Sequence, residues 1–306
     1  MSFSSDAKRE LLKIQPDALC CQKAGAYGFL LFGKHFSPER IDFWTERELL
    51  ARQAAEMIAA ETGTFVEIVT PSRRGKPGAQ HCVVTIPREA QRAGILSHFG
   101  HTGKELNLRI NRANLENECC ERAFLRSVFL SCGTLGDPNR EYHLEIVVPY
   151  LKLSGDLEKL IDDVSEGALA PKRILRKGAH VLYLKESEQI VDFLARIGAV
   201  QTSMEIMQVK MYKELRNQVN RVTNCETANI EKTAAAAARQ RAAILKIQAG
   251  GGMNSLPDEL RELALLRLDN PDLSLRELGE SLSSPISRSG VNHRLQRILL
   301  IADEQE

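Results

Sequence analysis

The first two hundred residues of this 306-residue chain carry one pattern twice, and this repetition limits the folds open to them. Each copy begins with an apolar run of helical length and continues into an alternating stretch typical of a strand. A second helix, two strands and a closing helix follow in both copies. Phe29 in the first copy corresponds to Val128 in the second, 99 residues later. The order αβαββα predicts a duplicated α+β domain whose copies pack about a pseudo-twofold axis.

Local signals in the second copy predict where several elements begin and end. Ser154 is expected to cap a helix because its hydroxyl can accept from the first free backbone N–H groups. Gly178 is expected to form the tight turn of a strand hairpin. Gly198 is expected to end the closing helix, where a left-handed residue is usual.

The first helix of each copy contains several small residues, at positions where a packed helix normally has large side chains. They are Gly25, Ala26 and Gly28 in the first copy and Ser127, Ser131 and Gly133 in the second. Small residues let two backbones approach closely. The two helices are therefore expected to pack against each other between the copies.

Duplicated helices and strands of this order, with closely packed first helices, resemble the LAGLIDADG homing endonucleases. The resemblance implies that each of these helices once carried at its tip an acid that binds the metal ions used to cut DNA. On this chain the acid positions hold Gly33 and Cys132, and neither offers the hard oxygen ligand that Mg²⁺ requires. Asp137 follows nearby, but Asp-Pro is typical of a turn. We expect no catalytic residue, no metal and no cofactor.

The composition argues against a membrane protein, a secreted protein and a disulfide-rich protein, but it does not indicate a particular function. Lys and Arg number 41 against 40 Asp and Glu, so any charged binding surface must be local. No apolar run approaches the ~18 residues of a membrane span, and the N-terminus lacks the apolar core of a signal peptide; a cytoplasmic protein is expected. The seven cysteines are odd in number and form no C-x-x-C pair, so we expect buried reduced thiols rather than disulfides or a zinc site.

Two basic clusters fall at matched places between the paired strands of the two copies. They are Arg73, Arg74 and Lys76 in the first copy and Lys172, Arg173, Arg176 and Lys177 in the second. A pseudo-twofold would place both on one side of the domain, where they are expected to contact DNA phosphates. Solvated hairpin turns are the alternative, and the repeat domain would then be a protein-interaction module.

A long helix is predicted beyond Thr202 by apolar residues spaced in threes and fours. Arg216, Asn217, Asn220, Arg221 and Asn224 form a polar stripe along it. The stripe is compatible with a solvated face and equally with contacts to phosphates or bases; Arg216, Asn220 and Arg221 are the candidate auxiliary contacts. A glycine-rich stretch at residues 249–255 then predicts a linker.

The last fifty residues predict a helix-turn-helix. Ser274 and Glu277 have the spacing of a capping box that opens a short helix, and a second helix is expected to begin near Ser287. No acidic residue lies from Ile286 through Ile301. Within the segment from Ser274 to Glu306, the residues expected to contact DNA are Arg288, Ser289, Asn292, His293, Arg294 and Arg297. Of these, Asn292 and Arg288 suit bidentate contacts to adenine and guanine.

The degenerate repeats, the stretch NRVTNCETANIEKT at residues 220–233 and the stretch SRSGVNHRLQRI at residues 287–298 together resemble the WhiA family over essentially the whole chain. The resemblance implies a DNA-binding protein of Gram-positive bacteria. It implies a sporulation transcription factor in actinomycetes, or a nucleoid-associated protein of cell division and chromosome segregation in Firmicutes. Double-stranded DNA is the expected partner, with possible protein partners and no membrane or small-molecule substrate.

Four domains are expected: a helical arm at 1–15, the LAGLIDADG-like domain at 16–200, a helical linker at 201–252 and the helix-turn-helix at 253–306. The leading interpretation is a non-enzyme that binds DNA mainly through the helix-turn-helix. One alternative is a metal-dependent endonuclease that uses other acids. The second alternative is a repeat domain that binds proteins, which leaves the tail to bind DNA alone.

Overall fold

A computed structural model describes residues 2–16, 18–70 and 81–304. The chain divides into two compact units, Met1–Lys213 and Glu214–Glu306, and each has its own hydrophobic core. In the described part of the chain, no helix combines the length and the apolar character needed to cross a membrane.

The first unit begins with helix α1, Phe3–Leu11, and continues into the first copy of the repeat. Its elements are α2 (Leu19–Leu31), β1 (His35–Phe36), β2 (Ile41–Thr45), α3 (Glu48–Thr62), β3 (Glu67–Val69), β4 (Cys82–Thr85) and α4 (Glu89–His98). The strands form one antiparallel sheet in the order β1-β2-β4-β3.

The second copy repeats this arrangement. Its elements are α5 (Glu118–Cys132), β5 (Gly133–Leu135), β6 (Leu144–Val148), α6 (Leu151–Val164), β7 (Lys172–Arg176), β8 (Ala179–Leu184) and α7 (Ser187–Ile197). The strand order β5-β6-β8-β7 is that of the first sheet, which confirms the predicted duplication. Each copy has one strand more than expected, β1 or β5. Strands of two or three residues are too short to show an alternating pattern.

Helices α2 and α5 pack against each other and join the two copies, as their small residues predicted. A Cβ built on Gly28 would lie 2.9 Å from the carbonyl oxygen of Phe124 and equally close to the Cβ of Ser127. Tyr27 and Phe124 are fully buried beside this contact, with ring centroids 5.5 Å apart. Almost every residue of α2 after its first turn is buried, which explains its nearly uniform apolar sequence.

The predicted cap at Ser154 is wrong, whereas the two predicted glycine positions are confirmed. Helix α6 begins at Leu151, and Ser154 is buried within it with its hydroxyl donating to the Leu151 carbonyl at 2.8 Å. Burial of apolar residues extends the helix one turn beyond the capping signal. Gly178 lies in the β7–β8 turn with φ of 81°, and Gly198 follows α7 with φ of 101°.

One continuous helix, α8, runs from Val200 to Ala249 and confirms the long helix predicted beyond Thr202. Glu10 of α1 caps its first turn, since its carboxylate accepts from the backbone N–H of Thr202 at 2.9 Å and from that residue's hydroxyl. Residues 214–236 are exposed on every side of the helix.

The second unit packs the last turns of α8 against three further helices. These are α9 (Asp258–Asp269), α10 (Leu275–Glu280) and α11 (Arg288–Asp303). Ile244 and Ile247 of α8 are fully buried in this core, so the expected linker contributes to the helix-turn-helix unit. Arg267 of α9 is also buried there; its Nε donates to Gln240 Oε1 at 3.0 Å and its Nη1 to the Leu273 carbonyl at 2.7 Å.

Candidate nucleic-acid interface

Side-chain caps fix the start of both helices of the helix-turn-helix. The backbone N–H of Ser274 donates to Glu277 at 2.7 Å, and the backbone N–H of Glu277 donates back to the Ser274 hydroxyl at 3.3 Å. The predicted capping box is therefore confirmed. Ser287 caps α11 by accepting from the backbone N–H of Gly290 at 3.2 Å.

The turn between α10 and α11 is held by backbone contact. The backbone N–H of Ile286 donates to the Gly279 carbonyl at 3.1 Å. A Cβ on Gly279 would lie 2.4 Å from the Ile286 carbonyl oxygen, so only glycine fits there without a shift. Glu262 of α9 accepts from the backbone and the hydroxyl of Ser283 at 2.6 and 3.0 Å. These contacts hold the turn between α10 and α11 in place.

One face of α11 is exposed and carries polar or basic side chains. Its members, which we name the α11 face, are Arg288, Ser289, Asn292, His293, Gln296 and Arg297. They recur at intervals of one, three and four residues and so lie on one side of the helix. Val291, Leu295 and Ile298 on the opposite side are buried. Gln296 was missed at the sequence level, although its position one turn after Asn292 could have indicated it.

Arg294 was expected to face outward, and the structure corrects this. Its Nη2 lies 2.9 Å from a carboxylate oxygen of Glu259 on α9, and its side chain is 20% exposed. Position 294 borders the buried side of α11, between Val291 and Leu295, so a long side chain there reaches the neighbouring helix. Arg294 therefore forms an ion pair between α11 and α9 and is not part of the exposed face.

The electrostatic character of the α11 face is positive. Neither Arg288 nor Arg297 lies within ion-pair distance of a carboxylate belonging to the described residues. The N-terminal end of a helix adds a partial positive charge, and Arg288 is the first residue of α11. Recognition helices contact base edges mainly through their N-terminal residues. The α11 face therefore has the position and charge of a DNA-reading surface.

The second basic cluster divides between the two faces of its sheet. Alternate strand residues point to opposite faces, so Lys172 and Arg176 share one face and Arg173 lies on the other. Arg173 reaches α6, where its Nη1 lies 3.4 Å from the Ser154 hydroxyl and its Nε 3.7 Å from Glu158. The expectation that the cluster acts as one surface is therefore wrong for Arg173.

The remaining members of the basic clusters differ in their surroundings. Arg176 forms an ion pair with Glu145 at 3.2 Å, and Glu145 also bonds His143 at 2.7 Å. Lys177 lies in the turn with φ of 51° and is exposed. The first cluster, Arg73, Arg74 and Lys76, lies outside the described residues.

The polar stripe of the long helix lies on the exposed part of α8. Arg216, Asn220 and Arg221 are all exposed. Both interpretations of the stripe predict this exposure, so its role as a set of auxiliary contacts stays a prediction.

The tip of α2 has no room for an acidic side chain. A Cβ on Gly33 would lie 2.6 Å from the carbonyl oxygen of Asp42 on the neighbouring strand. The contacted atom belongs to the backbone, which cannot move aside as the end of a flexible side chain can. An acid at this position would require the first sheet to shift away from α2.

A thiol and an ammonium group lie at the tip of α5. The Cys132 thiol contacts the Val128 carbonyl at 3.3 Å, and burial raises its pKa to about 12. Lys8 of α1 donates to the Leu130 carbonyl at 2.9 Å, and burial lowers its pKa to about 8. Asp137 accepts from the backbone and side chain of Asn139 at 2.9 and 3.0 Å, as the turn chemistry predicted. A cation beside a neutral thiol opposes the binding of Mg²⁺.

Family models match both units of the chain. The WhiA LAGLIDADG-like domain matches residues 121–216, and the WhiA C-terminal HTH domain matches residues 219–302. The LAGLIDADG-like match covers the second copy, and the structure places the same elements in the first.

Relatives align along the whole chain. The probable cell division protein WhiA of Alkaliphilus metalliredigens is 36% identical over 100% of this chain and 98% of the relative. That of Carboxydothermus hydrogenoformans is 39% identical over 99% and 98%. Among solved structures, full-length DUF199/WhiA from Thermatoga maritima superposes with a TM-score of 0.61 at 26% identity, covering 99% of both chains. The chain belongs to the WhiA family.

Proposed function

We propose that this protein is a non-catalytic binder of double-stranded DNA that acts in cell division and reads DNA through the α11 face. The observation that carries the proposal is the exposed, acid-free α11 face on a rigidly packed helix-turn-helix. A helix of this kind fits the major groove of B-DNA. The match to the WhiA C-terminal HTH domain supports the same function.

Roles within the α11 face follow from side-chain chemistry. Asn292 is suited to a bidentate contact with adenine, and Arg288 to one with guanine. Ser289, His293, Gln296 and Arg297 extend the surface along the helix, where contacts to phosphates set orientation without reading sequence. Arg294 is left out of this set because it pairs with Glu259.

The repeat domain and the exposed length of α8 supply auxiliary phosphate contacts in this proposal. Lys172 and Arg176 lie on the sheet face opposite α6, and Arg216, Asn220 and Arg221 lie on the exposed length of α8. Their contribution is electrostatic and independent of DNA sequence. The competing proposal is a repeat domain that binds another protein. The ion pair between Arg176 and Glu145 favours this alternative, because it neutralises one cation of the cluster.

The cell-division role comes from the relatives, which bear the name probable cell division protein. We further propose that the protein is nucleoid-associated and acts in chromosome segregation, with transcription regulation as the competing role. Mapping bound DNA across the genome distinguishes them. A few sites next to promoters indicate regulation, whereas broad or regularly spaced sites indicate chromosome organisation.

Binding of the full chain to fragments recovered in that mapping tests the proposal directly. The double variant Arg288→Ala/Asn292→Ala should lose at least tenfold in affinity for its preferred fragment. Lys152→Ala is the control, because it removes one exposed cation from α6, on the covered side of the second sheet. Equal affinities of the double variant and the control would overturn the assignment of the α11 face.

A further inference from the structure

Four cysteine side chains meet where α2 and α5 begin. Cys20 and Cys21 are the second and third residues of α2, and Cys119 and Cys120 are the second and third residues of α5. All four sulfur atoms lie within 4.8 Å of one another. The cluster is at the opposite end of these helices from the tips that carry Gly33 and Cys132.

The two pairs occupy equivalent places in the duplicated fold. Cys20 and Cys119 are 99 residues apart, as are Cys21 and Cys120, which is the offset that relates Phe29 to Val128. Each copy therefore contributes the same two thiols. Because α2 and α5 pack against each other along their length, the symmetry of the repeat brings the pairs together.

We propose that Cys20, Cys21, Cys119 and Cys120 form a four-thiolate site that binds one Zn²⁺ ion. Four sulfur ligands are a common set for structural zinc. With Zn–S bonds of ~2.3 Å, tetrahedral coordination places the sulfur atoms about 3.8 Å apart. The observed upper limit of 4.8 Å needs to contract by about 1 Å, which side-chain rotation supplies. Each copy provides two ligands, so the ion ties the copies together.

Two helix N-termini lie beside the cluster. The first turns of two helices point their partial positive charges toward it, and helix N-termini stabilise thiolates. Neither Ala18 nor Asn117, the residues before the two helices, provides a side-chain cap. A tetrathiolate complex of Zn²⁺ carries a net charge of two minus, which these helix ends stabilise.

Burial, together with a hydrogen bond with Cys119, raises the pKa of Cys21 to about 12, so this thiol carries its proton in the metal-free protein. Metal binding therefore exchanges thiol protons for the ion and releases them to solvent. No electron is transferred. Affinity for Zn²⁺ should weaken as pH falls.

The ion has a route into the site. Cys20 and Cys119 are partly exposed, whereas Cys21 is 3% exposed and Cys120 is fully buried. An arriving ion meets the outer pair first and then the inner pair. Because Cys20 and Cys119 are only partly buried, they can be substituted without disturbing the packing between α2 and α5.

The test uses the full chain, reduced and stripped of metal with a chelator, and requires no DNA, so it is independent of the proposed function. Wild type, Cys20→Ser/Cys119→Ser and Cys225→Ser are titrated with Zn²⁺ and with Co²⁺. Cys225 is exposed on α8 and far along the chain from the cluster, which makes it the matched control. Metal content is measured after gel filtration, and Co²⁺ reports the ligand set through its visible and charge-transfer absorption.

We expect roughly one metal ion per chain, and a tetrahedral thiolate spectrum with Co²⁺, for wild type and Cys225→Ser. Zn²⁺ should raise the midpoint of thermal unfolding of both. Cys20→Ser/Cys119→Ser should lose at least tenfold in Zn²⁺ affinity while keeping its helical circular dichroism. If this variant does not fold, Cys20→Ser alone should shift the Co²⁺ spectrum toward three sulfur ligands and one oxygen.

Three results would overturn the proposal. The first is a reduced, folded wild type that retains no metal. The second is a Co²⁺ spectrum that is unchanged by substitution of Cys20 and Cys119. The third is protein isolated without oxygen that contains disulfides between the four cysteines, or the absorption of an iron–sulfur cluster, in place of zinc.

Discussion

Gly28 of α2 lies so close to Phe124 of α5 that a Cβ on the glycine would stand 2.9 Å from the Phe124 carbonyl oxygen. Any side chain at position 28 must separate the helices that join the two copies. We expect Gly28→Ala to lower the free energy of unfolding by roughly 1–3 kcal/mol, as overpacking does. Urea unfolding followed by the fluorescence of the single Trp44 on β2 measures this.

Gly94→Ala on α4 is the control for that experiment. A Cβ there meets nothing within 4 Å and the backbone is helical. Replacing a helical glycine with alanine in open space should raise stability by about 0.5–1 kcal/mol. Equal losses in both variants would mean that the contact of Gly28 does not limit the approach of α2 and α5.

A second prediction concerns the turn of the helix-turn-helix. Gly279→Ala would place a Cβ 2.4 Å from the Ile286 carbonyl oxygen, so we expect a loss of roughly 1–3 kcal/mol. Hydrogen exchange of the α10 and α11 amides should become faster. Gly290→Ala is the comparison, because its Cβ meets only the Ile286 side chain, at 3.4 Å or more. Unchanged exchange in Gly279→Ala would show that the turn tolerates a side chain.

The third prediction concerns base reading by the α11 face. Asn292→Ala should weaken binding to the preferred site by roughly 1–3 kcal/mol and relax the preference at one base pair. Selection of binding sites from random DNA, performed with both proteins, measures the change. A uniform loss on every sequence would show instead that Asn292 contacts the backbone.

The fourth prediction separates the two faces of β7. If Lys172 contacts a phosphate, Lys172→Ala should flatten the log–log salt dependence of DNA binding by ~0.9. Arg173→Ala should leave the slope unchanged, because Arg173 is directed toward Ser154 and Glu158 of α6. Identical slopes for wild type and Lys172→Ala would favour a protein-interaction role for the repeat domain.

The fifth prediction concerns the degenerate tips. The protein should leave supercoiled DNA intact in Mg²⁺ or Mn²⁺. Gly33→Asp should destabilise the first copy rather than restore a metal ligand, since its Cβ would meet the Asp42 carbonyl at 2.6 Å. Plasmid nicking assays and thermal unfolding check both parts. Metal-dependent nicking that disappears in Asp137→Asn would support the endonuclease alternative.

Sequence patterns were sufficient for the elements that have strong local signals. The capping box of Ser274 and Glu277 and the helix end at Gly198 were predicted correctly, because each depends on interactions within a few residues. The start of α6 was misplaced because apolar packing outweighed a possible cap at Ser154. The outward orientation expected of Arg294 was wrong because its ion-pair partner, Glu259, belongs to another helix.

The proposed four-thiolate site has no spacing signature in the sequence. The C-x-x-C rule describes ligands that share one turn. Here two adjacent cysteines per copy are brought together by the packing of α2 against α5. The prediction that the cysteines would be buried thiols did not consider pairs supplied by separate helices.

Arg267 binds Gln240 Oε1 at 3.0 Å in the same core that buries Ile244 and Ile247. The last turns of α8 thus support α10 and α11, which begin 26 and 39 residues after α8 ends. A genetic screen for defects in DNA binding would recover lesions at Gln240, Ile244 or Ile247, although none of them belongs to the α11 face. Such alleles would be temperature-sensitive because they weaken the core of the second unit, whereas alleles at exposed Asn292 would not.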